Sequence, residues 1–165
     1  MGNKKDILNK ATADRKIRRM ALEVAEGNYN EQELVLIGIK ENGSVIAQKM
    51  AGHLAEVFGG QVQVLELSLD KKQPGEVQLS ANLDFTGKNI LLIDDVANSG
   101  RTMLYALKPL LAFHPKKIET LALVERTHKT FPIAVDYTGL SVSTTPDQHI
   151  YVEVVGGEVE GAWIG

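Results

Sequence analysis

The chain has 165 residues, 44% hydrophobic and 24% charged, with a net charge of −3 and no cysteine. That length suits one ordinary domain with a substantial core, so a single domain over residues 1–165 is expected. Disulfides and thiolate metal sites are excluded, no apolar run approaches bilayer length, and Met1-Gly2-Asn3-Lys4-Lys5-Asp6 lacks a signal-peptide core, which together predict a cytoplasmic protein.

Residues 6–27 carry Ile7, Ile17, Met20, Ala21, Val24 and Ala25 at helical spacing and stop at Gly27-Asn28, which predicts an amphipathic first helix. Residues 33–39 read as a short apolar strand, followed by a turn at 40–43. Helical spacing returns over 44–58 and ends at Gly59-Gly60. Val62, Val64, Leu65, Leu67 and Leu69 predict another strand, and residues 71–76 are a polar break with Pro74-Gly75 turn chemistry. A strand over 89–94 leads to a helix over 99–113, ended by His114-Pro115. Residues 118–124 are a further strand; 135–142 and 150–155 are shorter extended segments. This alternation predicts an α/β fold, a parallel sheet with helices on both faces. Ligands of such sheets sit beyond the carboxyl ends of the strands, where strand order reverses.

Chemistry concentrates after the strand at 89–94. The apolar run from Ile90 to Ile93 ends in the adjacent carboxylates Asp94 and Asp95, and a turn of small and hydroxyl residues leads into the next helix. Unpaired amides at a helix start attract phosphate. Ser99 and Thr102 add hydroxyls, and Gly100 lets backbone approach a ligand. The two carboxylates suit vicinal ribose hydroxyls or the waters of a magnesium ion.

This segment resembles the phosphoribosyl-pyrophosphate (PRPP) signature of type I phosphoribosyltransferases at Asp94, Asp95, Ser99, Gly100 and Thr102. The resemblance widens to the PyrR family, pyrimidine-operon attenuation regulators that also have uracil phosphoribosyltransferase activity. Residues 35–43 are similar to its first strand and pyrophosphate loop, and residues 123–139 to a later segment that lines the nucleotide pocket. The resemblance implies the type I fold with a small hood, and transfer of 5-phosphoribosyl from PRPP to a nucleobase, uracil first, with Mg²⁺ and release of pyrophosphate.

The same resemblance distributes the roles. Asp94 and Asp95 are the catalytic pair, holding ribose hydroxyls and, through water, the metal. Ala97, Asn98, Ser99, Gly100, Arg101 and Thr102 bind the 5′-phosphate, while Ile39, Lys40, Glu41, Asn42 and Gly43 bind pyrophosphate. Lys71 and Lys72 belong to the lid, and Arg126 and His128 to the nucleobase or nucleotide pocket, as binding groups. The implied partners are PRPP, a nucleobase, a nucleoside monophosphate and further copies of the chain, as a homodimer or higher homo-oligomer; none is a membrane.

The pattern departs from the family in two places. Asn42 precedes Gly43 where the family has an arginine, and an amide offers phosphate neither charge nor a bidentate fork. Residues 65–85 are short for a lid and leave Lys71 and Lys72 as the available cations, or form a plain solvated hairpin. Arg15, Lys16, Arg18 and Arg19 cluster on the first helix, the kind of basic face through which attenuation proteins bind RNA, although the chain is otherwise mildly acidic. Two alternatives therefore stand beside the uracil enzyme. One is a weakly catalytic or non-catalytic nucleotide-sensing regulator of pyrimidine genes that binds RNA; the other is a phosphoribosyltransferase for a purine or other base. Trp163, in an ambiguous C-terminal stretch, docks on its own domain or on a neighbour.

Overall fold

A computed structural model describes residues 3–165. Along the chain come β1 (Lys5–Asn9), α1 (Lys10–Gly27), β2 (Glu33–Ile39), α2 (Asn42–Val57), β3 (Gln61–Ser68) and β4 (Gln78–Leu79). There follow β5 (Asn89–Ala97), α3 (Arg101–Ala106), a 3-10 turn at Lys108–Leu110, β6 (Lys117–Arg126), β7 (Tyr137–Val142), β8 (Ile150–Val155) and β9 (Glu158–Ile164).

Strand residues that alternate in sequence divide between two cores, because successive side chains of a strand point to opposite faces. Leu34 and Leu36 of β2, Leu91 and Ile93 of β5, and Leu121 and Leu123 of β6 pack with Ile17, Met20, Ile46 and Met50 of α1 and α2. Val35, Ile37, Ile39, Ile90, Leu92 and Ala122 face the other way, against Met103, Ala106, Leu110 and Phe85. The expected sheet covered by helices on both faces is what forms. Its strand order is β4-β3-β2-β5-β6-β7, parallel except for the antiparallel edge strand β4. The order reverses between β2 and β5, and the loops after those two strands carry the candidate site.

A second, antiparallel sheet, ordered β1-β9-β8, forms the hood. It corrects the first predicted element. Residues 5–9 pair with β9, Lys5 opposite Ile164 and Leu8 opposite Ala162, so α1 begins only at Lys10. The Asn9 side chain caps it, accepting from the Thr12 amide at 2.8 Å. Helical spacing in residues 6–9 lost to a strand partner at the far end of the chain. β9 was not expected, and it gives Trp163 its place, stacked on Tyr151 of β8 with ring centroids 5.4 Å apart.

The helix expected over 99–113 is also corrected. α3 is six residues long and gives way to a 3-10 turn, because Pro109 has no N–H to offer the Tyr105 carbonyl. β5 in turn runs three residues beyond Asp94, so the acid pair lies inside a strand rather than at its tip. Of the turn expected at 40–43, Lys40 and Glu41 form a turn while Asn42 and Gly43 open α2, which starts there rather than at Ser44, and β7 starts at Tyr137 rather than Val135. No helix of the described residues is long and apolar enough to cross a membrane.

Candidate active site

The acid pair is held rigidly by its strand. Asp94 and Val96 are paired with Ala122 and Val124 of β6, and the Asp94 side chain is only 2% exposed. Asp94 Oδ1 accepts from the Asp95 amide at 2.9 Å, and Asp95 Oδ1 from the Val96 amide at 2.8 Å. Burial, and then the neighbouring Asp95 charge, push the Asp94 carboxyl well above the usual carboxylate range, with Lys71 pulling the other way. Lys71 reaches in from the loop between β3 and β4, its Nζ 3.1 Å from Asp94 Oδ1 and 3.9 Å from Asp95 Oδ1. Desolvation lowers the Lys71 pKa, but the Asp94 and Asp95 charges outweigh it and the net shift is upward.

After β5 the chain turns through Asn98, Ser99 and Gly100, whose φ of +88° suits glycine. Arg101 donates its amide to Ser99 Oγ at 3.3 Å. Because α3 is so short, little helix dipole gathers at this end, and the anion-attracting capacity lies in the loop amides themselves. The Arg101 side chain turns to the loop between β3 and β4, donating to the carbonyls of Lys71 and Lys72 at 3.3 and 3.0 Å.

The loop after β2 packs directly on β5. A Cβ at Gly43 would stand 2.6 Å from the Ile93 carbonyl oxygen and 3.1 Å from Asp94 Cα, so only glycine lets this loop approach the acid pair. Asn42 uses its amide twice, donating to Asp95 Oδ2 and to the Val152 carbonyl, each at 3.0 Å. It thereby ties loop, acid pair and hood together. Lys40 instead pairs with Glu66 at 3.3 Å, Ile39 is buried in the core, and Glu41 is exposed. The Lys40–Glu41 peptide is cis.

Lys71, Asp94, Asp95 and residues 96–103 line one cavity of about 290 Å³, with Ile150 of the hood on its rim. Arg126 and His128 do not enter it. They line an adjoining hollow of about 720 Å³ with Thr130, Thr144, Thr145, Pro146 and His149, and the two spaces share Asn98 and Ser99. The Ser99 carbonyl fastens them together by accepting from the Thr130 and Phe131 amides at 3.1 and 3.0 Å. Arg126 donates to the Gln148 carbonyl, while its Nε and the Thr144 hydroxyl are buried without partners. One ligand can thus present an anionic end to loop amides and a ring to the side of Arg126 and His128.

Sequence reasoning missed Thr144, Thr145 and His149, which arrive on the connection between β7 and β8. Their only local sign is the turn-forming Thr145-Pro146-Asp147. It also missed the double use of Asn42. Of the basic cluster on α1, Arg19 donates to the Thr138 and Gly139 carbonyls at 3.0 and 3.2 Å and pairs with Glu23 at 3.4 Å. Arg15, Arg18 and Arg19 are all exposed.

The phosphoribosyl transferase domain family model matches residues 3–155. The bifunctional protein PyrR of Lactococcus lactis subsp. cremoris is 33% identical over 156 residues, covering 92% of this chain and 90% of that protein. That of Enterococcus faecalis is 34% identical over 160 residues, covering 92% and 90%. Among solved structures, a hypoxanthine-guanine phosphoribosyltransferase from Bacillus anthracis has a TM-score of 0.72 at 21% identity, over 91% of this chain and 87% of the other. A hypoxanthine phosphoribosyltransferase of Trypanosoma cruzi has a TM-score of 0.74 at 16% identity, over 84% and 82%. At those identities the structures speak for the fold. With a buried acid pair, an amide-lined turn and a match along nearly its whole length, the chain belongs to the type I phosphoribosyltransferase family.

Proposed function

We propose that this chain is a single-domain cytoplasmic enzyme that transfers the 5-phosphoribosyl group of PRPP to uracil and releases pyrophosphate. The observation that carries the reading is one cavity lined by Asp94, Asp95 and residues 96–103, with the Lys71 ammonium on the acid pair. The loop amides and the Ser99 and Thr102 hydroxyls hold the 5′-phosphate. Asp94 and Asp95 accept hydrogen bonds from the ribose hydroxyls and fix C1 relative to the base. Bond breaking at C1 develops oxocarbenium character, as at other acetal carbons, and the two carboxylates stabilise it electrostatically. The base sits beside Arg126 and His128 and attacks C1 through a ring nitrogen as the C1–O bond to pyrophosphate breaks, its N–H proton passing to the departing pyrophosphate or to water, so no nucleophilic side chain is needed.

The acid pair fits a cation, because it already accepts the Lys71 ammonium between its oxygens. Magnesium, held there through water, would neutralise charge building on the departing pyrophosphate. The remaining work of this chain is to orient the sugar and exclude water with the lid, since PRPP hydrolyses readily. Pyrophosphate release from PRPP with Mg²⁺ and uracil, then hypoxanthine, guanine or adenine, tests the reading. Turnover with uracil that Asp94→Asn/Asp95→Asn abolishes is the expected result. Turnover only with a purine would reassign the base.

A second reading has one observation in its favour. The Asn42 amide is spent on Asp95 and on Val152, which leaves the pyrophosphate loop without a cationic fork. A nucleotide-sensing regulator would keep the site and lose turnover. Silence with every base, alongside UMP binding by calorimetry and salt-dependent retention of pyrimidine-leader RNA on filters, would establish it.

A further inference from the structure

Lys71 and Arg101 make contacts that phosphate binding does not require. The Lys71 ammonium lies 3.1 and 3.3 Å from the two oxygens of Asp94 and 3.9 Å from Asp95 Oδ1. One cation therefore stands where two carboxylates meet, on an Asp94 side chain that is 2% exposed. Its backbone is fixed independently. Arg101, the first residue of α3, donates to the Lys71 carbonyl at 3.3 Å and the Lys72 carbonyl at 3.0 Å. Asp70 closes the turn by accepting from the Lys72 and Gln73 amides at 2.9 and 3.3 Å. The segment is anchored from the phosphate loop, from the acid pair and from within.

A buried carboxylate such as Asp94, with Asp95 beside it, is costly when uncompensated, and a tethered ammonium relieves that cost. A hydrated divalent cation and a ribose diol need those same oxygens. An ammonium and a metal a few ångströms apart repel, so the two positive groups exclude one another. We propose that Lys71 is a built-in counter-ion that reserves the acid pair in the free protein, and that Arg101 is the positioning residue that keeps it there. The proposal rests on the reading that the acid pair receives the ribose and magnesium of PRPP. When that ligand enters, Lys71 leaves Asp94 and its ammonium turns to the pyrophosphate oxygens.

Lys71 thus acts with opposite sign on two ligands. Calorimetry with magnesium chloride alone should show Lys71→Ala binding the ion about fivefold more tightly than the unaltered chain, the size of a half-exposed ion pair. With magnesium present, the same variant should bind PRPP about fivefold more weakly. Hydrogen exchange over residues 69–76 reads the anchor directly. Arg101→Ala should accelerate exchange there and raise the KM for PRPP more than it lowers kcat, and Arg101→Lys should restore part of the protection. Magnesium affinity unchanged or weakened by Lys71→Ala, or lid exchange unmoved by Arg101→Ala, overturns the proposal. If PRPP bound to no form of the protein while the magnesium and exchange results held, the substrate reading would fail and the counter-ion would stand.

Discussion

Asp94 shows how a single residue sets stability against function. Burial and the adjacent Asp95 raise its pKa in the folded chain, so the folded state holds that proton more tightly than the unfolded one. Stability contributed by this group is therefore present at low pH and falls as pH rises from the ordinary carboxylate range through the raised value. Asp94→Asn removes the ionisation while keeping the shape. It is expected to raise Tm at neutral pH by about 2–4 °C, equivalent to ~1 kcal/mol in a domain of this size, and to flatten the dependence between acid and neutral pH. Phosphoribosyl transfer should be lost at the same time. A melting series in which the variant is no more stable than the unaltered protein at neutral pH would contradict this account. Asp94, Asp95 and the Ser99 to Thr102 turn were legible from the sequence because strand, acid pair and turn are contiguous. Asn42 was legible only as the absence of an arginine, since its partners Asp95 and Val152 lie 53 and 110 residues away.

At the scale of elements, periodicity located β2, β3, β5 and β6 within a few residues, because β2, β5 and β6 are buried apolar runs and β3 carries Val62, Val64, Leu65 and Leu67 among polar residues. It failed where a distant partner or a missing donor decided the outcome. Residues 5–9 became a strand because β9 supplies its hydrogen bonds, and the predicted helix over 99–113 broke because Pro109 supplies none. Asn9 marks the new boundary, with its side chain on the Thr12 amide at 2.8 Å. Asn9→Ala is expected to cost about 1 kcal/mol, seen as a lower urea midpoint with an unchanged slope. Gly43→Ala should do greater harm, since its methyl group would enter the Ile93 carbonyl and displace the loop from Asp94. A loss of activity of at least about tenfold is expected, from displacement on the order of 1 Å at the reacting groups. Retained activity would show that this loop has room to move.

Across the whole molecule, β9 is the keystone of the hood. It lies between β1 and β8, so its removal leaves neither with a partner, and Val159, Ala162 and Ile164 leave the core shared with α1 and α2. Truncation after Val155 is expected to cost roughly 5 kcal/mol or more, comparable with the whole stability of a modest domain. Circular dichroism should then show no cooperative melt, and a sharp transition near that of the full chain would argue against an integral hood. The Ser99 carbonyl has a consequence of a different kind. By accepting from both Thr130 and Phe131, it makes the turn proposed to hold phosphate and the loop proposed to flank the base one mechanical body. Ordering either side lowers the entropic cost of ordering the other, which creates a coupling free energy between the two ligands. Reciprocity then fixes its form. The factor by which ribose 5-phosphate tightens uracil must equal the factor by which uracil tightens ribose 5-phosphate, and both must shrink together when Thr130-Phe131 is loosened by glycine.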